Sequence, residues 1–154
     1  MRQTTPSEDL ACESSSMTTR AWTLVVEDNP VDAEALARAW REAGLRDRLV
    51  VQDDGETALK ELAVIQPEEL PDYVLLDLNM PRMSGLELMI AIKAHEMLRL
   101  LPLVVLTTSE QIDDRRQSFL NGASGYFLKP MAYEALVDTV KAIHGYWARS
   151  KRPW

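Results

Sequence analysis

The sequence predicts an α/β fold, a five-stranded parallel sheet with helices on both faces. Three observations predict it. Five short apolar runs alternate with segments whose apolar residues recur at helical spacing, the pattern of parallel strands joined by helical crossovers. The clearest run, Tyr73 to Leu76, is continuously apolar and lies between Pro71 and Pro81, as expected of a strand covered on both sides. Every run except the second stops at a chemically specific polar residue. In a parallel sheet those ends share one edge, where open α/β sheets bind ligands.

The elements follow in order. Residues 1–20 are rich in Ser and Thr and hold little to bury, which predicts a disordered tail; Met17 is a candidate alternative start. Ala21 to Val26 forms strand one and stops at Glu27-Asp28. Asn29-Pro30 opens a helix, with Pro where its missing N–H costs little. Val31, Ala35, Leu36, Ala39, Trp40 and Ala43 give that helix its apolar face, and Gly44 ends it. Leu49-Val50-Val51 is strand two. Asp53-Asp54-Gly55 turns into helix two, which carries Ala58, Leu59, Leu62 and Ile65 and closes before Pro67 and Pro71. Strand three is Tyr73 to Leu76, with Asp77 at its end. Helix three is expected from about Leu86 to Leu98. Strand four, Leu103 to Leu106, ends at Thr107, and helix four runs from about Gln111 to Leu120, stopped by Asn121-Gly122. Strand five, Gly125 to Leu128, runs into Lys129-Pro130. Helix five starts near Tyr133 and repeats Leu136, Val137, Val140, Ile143 and Trp147. The globular domain thus spans 21–148, and the basic residues 149–154 read as a loose tail.

Composition narrows the function classes. The 154 residues are 46% apolar and 27% charged, ordinary for one soluble domain. A net charge of −7 argues against a nucleic-acid partner, which requires a basic surface. The single cysteine, Cys12, excludes an internal disulfide framework and a cysteine-cluster zinc site. No apolar run approaches the ~18 residues of a membrane span, and there is no signal-peptide h-region, so the expected location is the cytoplasm. Neither a dinucleotide glycine fingerprint nor a P-loop occurs.

The strand ends carry the chemistry. With strands one and three adjacent, in the order 2-1-3-4-5 known for doubly wound sheets, Glu27, Asp28 and Asp77 converge at the switch point. Three crowded carboxylates repel one another. A hard divalent cation such as Mg²⁺ resolves the conflict, since it takes one or two carboxylates and keeps several waters. Lys129 adds a compact positive charge and Thr107 a hydroxyl. Metal, ammonium and hydroxyl together suit a phosphoryl group, whose charge lies on its outer oxygens. An unperturbed aspartate, with a carboxyl pKa of about 3.9, is ionised at neutral pH, so an aspartate at position 77 needs no general base to act as acceptor. Singly these residues have plainer readings. Asp77 alone reads equally as a loop or helix cap, Thr107 as a β-branched strand residue, Tyr126 as a strand aromatic and Lys129 as a solvated lysine.

The set Glu27-Asp28, Asp77, Thr107, Tyr126 and Lys129-Pro130, one motif per expected strand end over about Ala21 to Trp147, resembles the receiver domain of two-component response regulators. The resemblance implies the flavodoxin-like receiver fold, with Asp77 accepting a phosphoryl group from a sensor histidine kinase. It implies that Asp28, Asp77 and the backbone carbonyl of Asn79 bind Mg²⁺ directly, with Glu27 acting through water. Thr107 and Lys129 would hold the phosphoryl oxygens. Thr107 and Tyr126 would form the switch that remodels the face of helix four, strand five and helix five. Glu27 stands where many members have Asp, and Thr108 where a smaller residue is frequent. No output module is expected after helix five. The runs Val26 to Pro30 and Leu106 to Ser109, with the aromatic last helix, are similar to stand-alone regulators paired with phytochromes.

Other residues draw plainer readings. His95 and His144 lie on expected helices without ligand partners and are expected at the surface or an interface. Met80, Met83, Met89 and Met97 read as gap fillers, and Arg115-Arg116 as a solvated face. Tyr146, Trp147 and Trp154 suggest a homodimer through the helix-four, strand-five, helix-five face; the alternative packs Trp147 on its own sheet. A rival class is the haloacid-dehalogenase type of phosphohydrolase, which also uses a strand-end Asp, Mg²⁺, Thr and Lys. Such enzymes look for a second carboxylate two residues after the first, where this chain has Asn79.

Overall fold

A computed structural model describes residues 21–154. The expected tail, with Cys12 and Met17, lies outside them. Five parallel strands form one sheet: β1 (Trp22–Val26), β2 (Arg48–Gln52), β3 (Val74–Leu76), β4 (Leu103–Thr107) and β5 (Gly125–Leu128), in the order β2-β1-β3-β4-β5. Among the described residues four α-helices connect them, α1 (Pro30–Glu42), α2 (Gly55–Ala63), α3 (Gly85–Ala94) and α4 (Ile112–Leu120), and a fifth, α5 (Tyr133–Trp147), follows β5. The predicted fold class and strand order are the observed ones.

The alternation of side chains along the three central strands builds two cores. Leu24 and Val26, Val74 and Leu76, and Leu103 and Val105 face one layer with Ala58 and Leu62 of α2 and Leu88, Met89 and Ile92 of α3. Val25, Leu75, Val104 and Leu106 face the other, against Leu36, Ala39 and Trp40 of α1 and Val140 and Ile143 of α5. Because both faces are covered, these strands show no polar alternation.

Local chemistry sets the helix ends. The Asn29 side chain accepts from the Val31 and Asp32 N–H groups, with Pro30 at the first helical position. Asp54 caps α2 through Thr57 N–H. Ser84 and Glu87 form a reciprocal capping box on α3.

Three expectations need correction. α3 stops at Ala94 rather than near Leu98. His95 turns to an extended backbone, its Nδ1 accepts from Met97 N–H at 3.2 Å, and the chain passes into a 3-10 turn, Leu98–Leu100. Leu98 is buried in the same core as α3, so the apolar pattern runs on beyond the helix. His144 is buried, not at the surface. It lies edge-on to Trp40, 4.7 Å between centroids, with its Nδ1 3.1 Å from Tyr73 OH and its Nε2 2.9 Å from Asp47. The last residues are not loose: Arg152 pairs with Asp72, and Trp154 packs against the first core. Trp147 lies on the second core, 6.1 Å from the Tyr73 ring, the alternative to an interface role for that residue.

Candidate functional site

Backbone ladders place the polar strand ends. Past β1, Glu27 N–H donates to the Gln52 carbonyl at 2.9 Å. Past β3, Asp77 N–H donates to the Val26 carbonyl at 3.2 Å, and past β5, Lys129 N–H donates to the Thr107 carbonyl at 2.7 Å. Each strand therefore continues one residue as a bonded chain, and residues up to 102 apart in sequence meet at one edge.

Glu27, Asp28 and Asp77 each bring a carboxylate oxygen within 4.8 Å of the others. Glu27 and Asp77 are buried, and Asp28 is half-buried. The Lys129 ammonium reaches into this group, 2.6 Å from Glu27 Oε1 and 3.2 Å from Asp77 Oδ2. Burial pulls the ammonium's pKa down. Hydrogen bonds to Glu27 and Asp32 and the charges of Asp77 and Glu27 outweigh that and hold it above its usual value, so Lys129 stays charged. Burial pushes the Glu27 carboxyl up, against the opposing pull of Lys129.

Asp32 is the site residue that sequence reasoning missed. Its Oδ2 lies 3.0 Å from Lys129 Nζ. The available signal was its place in the first turn of the helix that follows Glu27-Asp28, which returns the chain over the strand end.

Thr107 is fully buried. Its hydroxyl accepts from Ser109 N–H at 3.3 Å rather than bonding Asp77 or Lys129. Ser109 also donates through its own hydroxyl to Asp114 of α4 at 2.5 Å, and Tyr126 OH donates to the Ser109 carbonyl at 3.0 Å. The loop after β4 thus joins Thr107, Tyr126 and α4. Asn79 is exposed in the loop after β3, with its N–H 3.4 Å from Asp77 Oδ1.

The donors suit a divalent cation. All are hard oxygens, and among the described residues Glu27 and Asp77 share Lys129 while no cation pairs with Asp28.

Comparison with known proteins agrees with this frame. Residues 23–141 match the family model of the response regulator receiver domain. The chain belongs to that family: it is a receiver domain of the two-component class. Among its relatives, the probable methanogenesis regulatory protein FilR2 of Methanothrix harundinacea is 40% identical over 126 residues, covering 80% of this chain and 81% of that protein. Response regulator Rcp1 of Synechocystis is 30% identical over 127 residues, covering 80% and 86%. The phosphorylated cyanobacterial phytochrome response regulator RcpA superposes with a TM-score of 0.79 at 29% identity, over 88% of this chain and 100% of that one. The manganese-bound form of Rcp1 gives 0.76 at 29% identity, over 87% and 99%. The phosphohydrolase alternative finds no support among these matches.

Proposed function

We propose that the protein is a response regulator whose receiver domain takes a phosphoryl group from a sensor histidine kinase onto Asp77. The observation that carries the reading is the Lys129 ammonium held beside Asp77 at the edge where Glu27 and Asp28 converge. A carboxylate oxygen of Asp77 attacks phosphorus in line with the leaving nitrogen of a phosphohistidine. The P–N bond breaks and its electron pair returns to the imidazole. Lys129 orients the phosphoryl oxygens and offsets their charge. Glu27, Asp28, Asp77 and the carbonyl of Asn79 would hold Mg²⁺, which supplies further positive charge at the phosphoryl oxygens. Manganese in the similar Rcp1 supports a divalent ion of this kind.

Thr107 and Tyr126 are the proposed switch. When the Thr107 hydroxyl turns from Ser109 N–H to a phosphoryl oxygen, the loop bonded to Tyr126 OH and to Asp114 moves with it. The α4-β5-α5 face then changes its partners. The likeness to the phytochrome response regulator RcpA favours a phytochrome-type kinase as donor; the proposed setting is the cytoplasm. Among the described residues, no helix is long and apolar enough to cross a membrane. The protein acts on its own Asp77 and turns over no separate substrate beyond release of its own phosphoryl group.

Phosphotransfer tests the reading. Radiolabel from phosphorylated phytochrome-type and unrelated kinases should enter the wild type with Mg²⁺, fastest from the phytochrome type, and should not enter Asp77→Asn. Equal labelling of the Asp77→Asn protein would remove Asp77 as acceptor.

A further inference from the structure

The Lys129 ammonium has three N–H donors, and three carboxylates surround it: Glu27 Oε1 at 2.6 Å, Asp32 Oδ2 at 3.0 Å and Asp77 Oδ2 at 3.2 Å. These acceptors are not equivalent. Glu27 and Asp77 belong to the carboxylate cluster suited to a divalent cation, and Asp32 does not. Glu27 and Asp77 are nearly closed to solvent, whereas the Asp32 side chain is 43% exposed. Asp32 stands with Thr108, Met131 and Tyr133 along a groove that borders Lys129.

A second positive charge held by Glu27 and Asp77 repels the ammonium and competes for its two buried acceptors. Asp32 is the acceptor left to retain it. The Asp32 backbone is anchored in the first turn of α1, where its N–H donates to Asn29 Oδ1 at 3.1 Å and the helix N-terminus favours a carboxylate.

We infer that Asp32 is a positioning residue, which holds the Lys129 ammonium on the groove side of Asp77 as a phosphoryl group arrives. It touches Lys129 and not the reacting atoms. The inference rests on Asp77 being the phosphoacceptor.

The test uses the full chain as wild type, Asp32→Asn and Asp32→Glu. In metal-free, ¹⁵N-lysine-labelled protein, the Lys129 ammonium signal is assigned by its loss in Lys129→Arg. It should exchange slowly with water in the wild type, faster and at a shifted frequency in Asp32→Asn, and near the wild-type position in Asp32→Glu. The labelling rate at saturating acetyl phosphate with Mg²⁺ should fall about tenfold in Asp32→Asn, the scale of losing a residue that orients a site group, and recover in Asp32→Glu. An unchanged ammonium signal in Asp32→Asn, or a labelling rate equal to wild type, overturns the inference. A wild type that takes no label on Asp77 defeats the phosphoacceptor reading instead, a result the metal-free ammonium signal separates from loss of the Asp32 contact.

Discussion

Gly85 lies directly under the backbone that presents Asp77. A Cβ built there would stand 2.0 Å from the Asp77 carbonyl oxygen and 2.7 Å from Leu78 Cα. Both are main-chain atoms, so no side-chain rotation relieves the clash. Gly85 N–H also donates to the Leu78 carbonyl at 2.9 Å, tying α3 to the strand-end loop. Gly85→Ala should therefore lower stability by about 3 kcal/mol, the upper range for an overpacked core, and slow phosphoryl labelling by displacing Asp77. Urea unfolding reads the first effect and labelling of the folded fraction the second; a wild-type midpoint would show that the loop yields without cost. At this scale the sequence marks Asp77, Thr107 and Lys129 because each closes an apolar run. Gly85 and Asp32 close no such run. Their roles come from how the β3–α3 and β1–α1 connections fold back over the sheet edge, which the apolar pattern does not encode; for Asp32 the one local sign is its place in the first turn of α1.

Among the elements, α2 shows how a charged cap contributes. Asp54 accepts from Thr57 N–H and hydroxyl, at 3.2 and 2.7 Å, and from Arg82 at 3.1 Å. Arg82 sits at φ 63° in the loop after β3, so this pair links the cap of α2 to the loop that carries Asn79. The hydrogen bond from Thr57, then the one from Arg82, hold the Asp54 carboxyl down from 3.8 to about 2. A folded-state pKa below the unfolded one means that the ionised form stabilises the fold. That contribution is complete above 3.8 and fades as the pH falls toward about 2. Asp54→Asn keeps the shape of the cap and removes the charge. The gap in urea midpoint between wild type and Asp54→Asn should be constant near neutral pH and close through that acid window. A gap independent of pH would assign it to cap geometry. The elements themselves were legible where capping and periodicity agree, as at Asn29-Pro30 and in the five strands. They were misread where tertiary packing overrides the local pattern. Leu98 keeps the rhythm of α3 after the helix has ended, and His144 of α5 is buried because Tyr73 and Asp47, far away in sequence, satisfy both ring nitrogens.

Across the whole molecule, the two poles of the sheet differ. The C-terminal edge gathers Glu27, Asp28, Asp32, Asp77 and Lys129, while the opposite end is closed by Arg152 on Asp72 and by Trp154 on the first core. The tail aromatic that looked free in the sequence is thus used within the chain. The side of β5, α4 and α5 leaves Ile112, Phe119, Leu120, Phe127 and Leu128 exposed. β5 is an edge strand, and an apolar strip beside an unpaired edge favours pairing with another surface. We propose a second copy of this chain as its partner, since an isologous contact presents the same strip to itself. Size-exclusion with light scattering should give a mass near twice 17.4 kDa, with association strengthened by beryllofluoride and Mg²⁺ as the loop holding Ser109 and Tyr126 shifts. Leu120→Glu should return the mass of one chain without moving the urea midpoint of dilute protein, since Leu120 is 71% exposed and supports no core. A single-chain mass at the highest concentration reached, with and without beryllofluoride, would leave this face for a different protein.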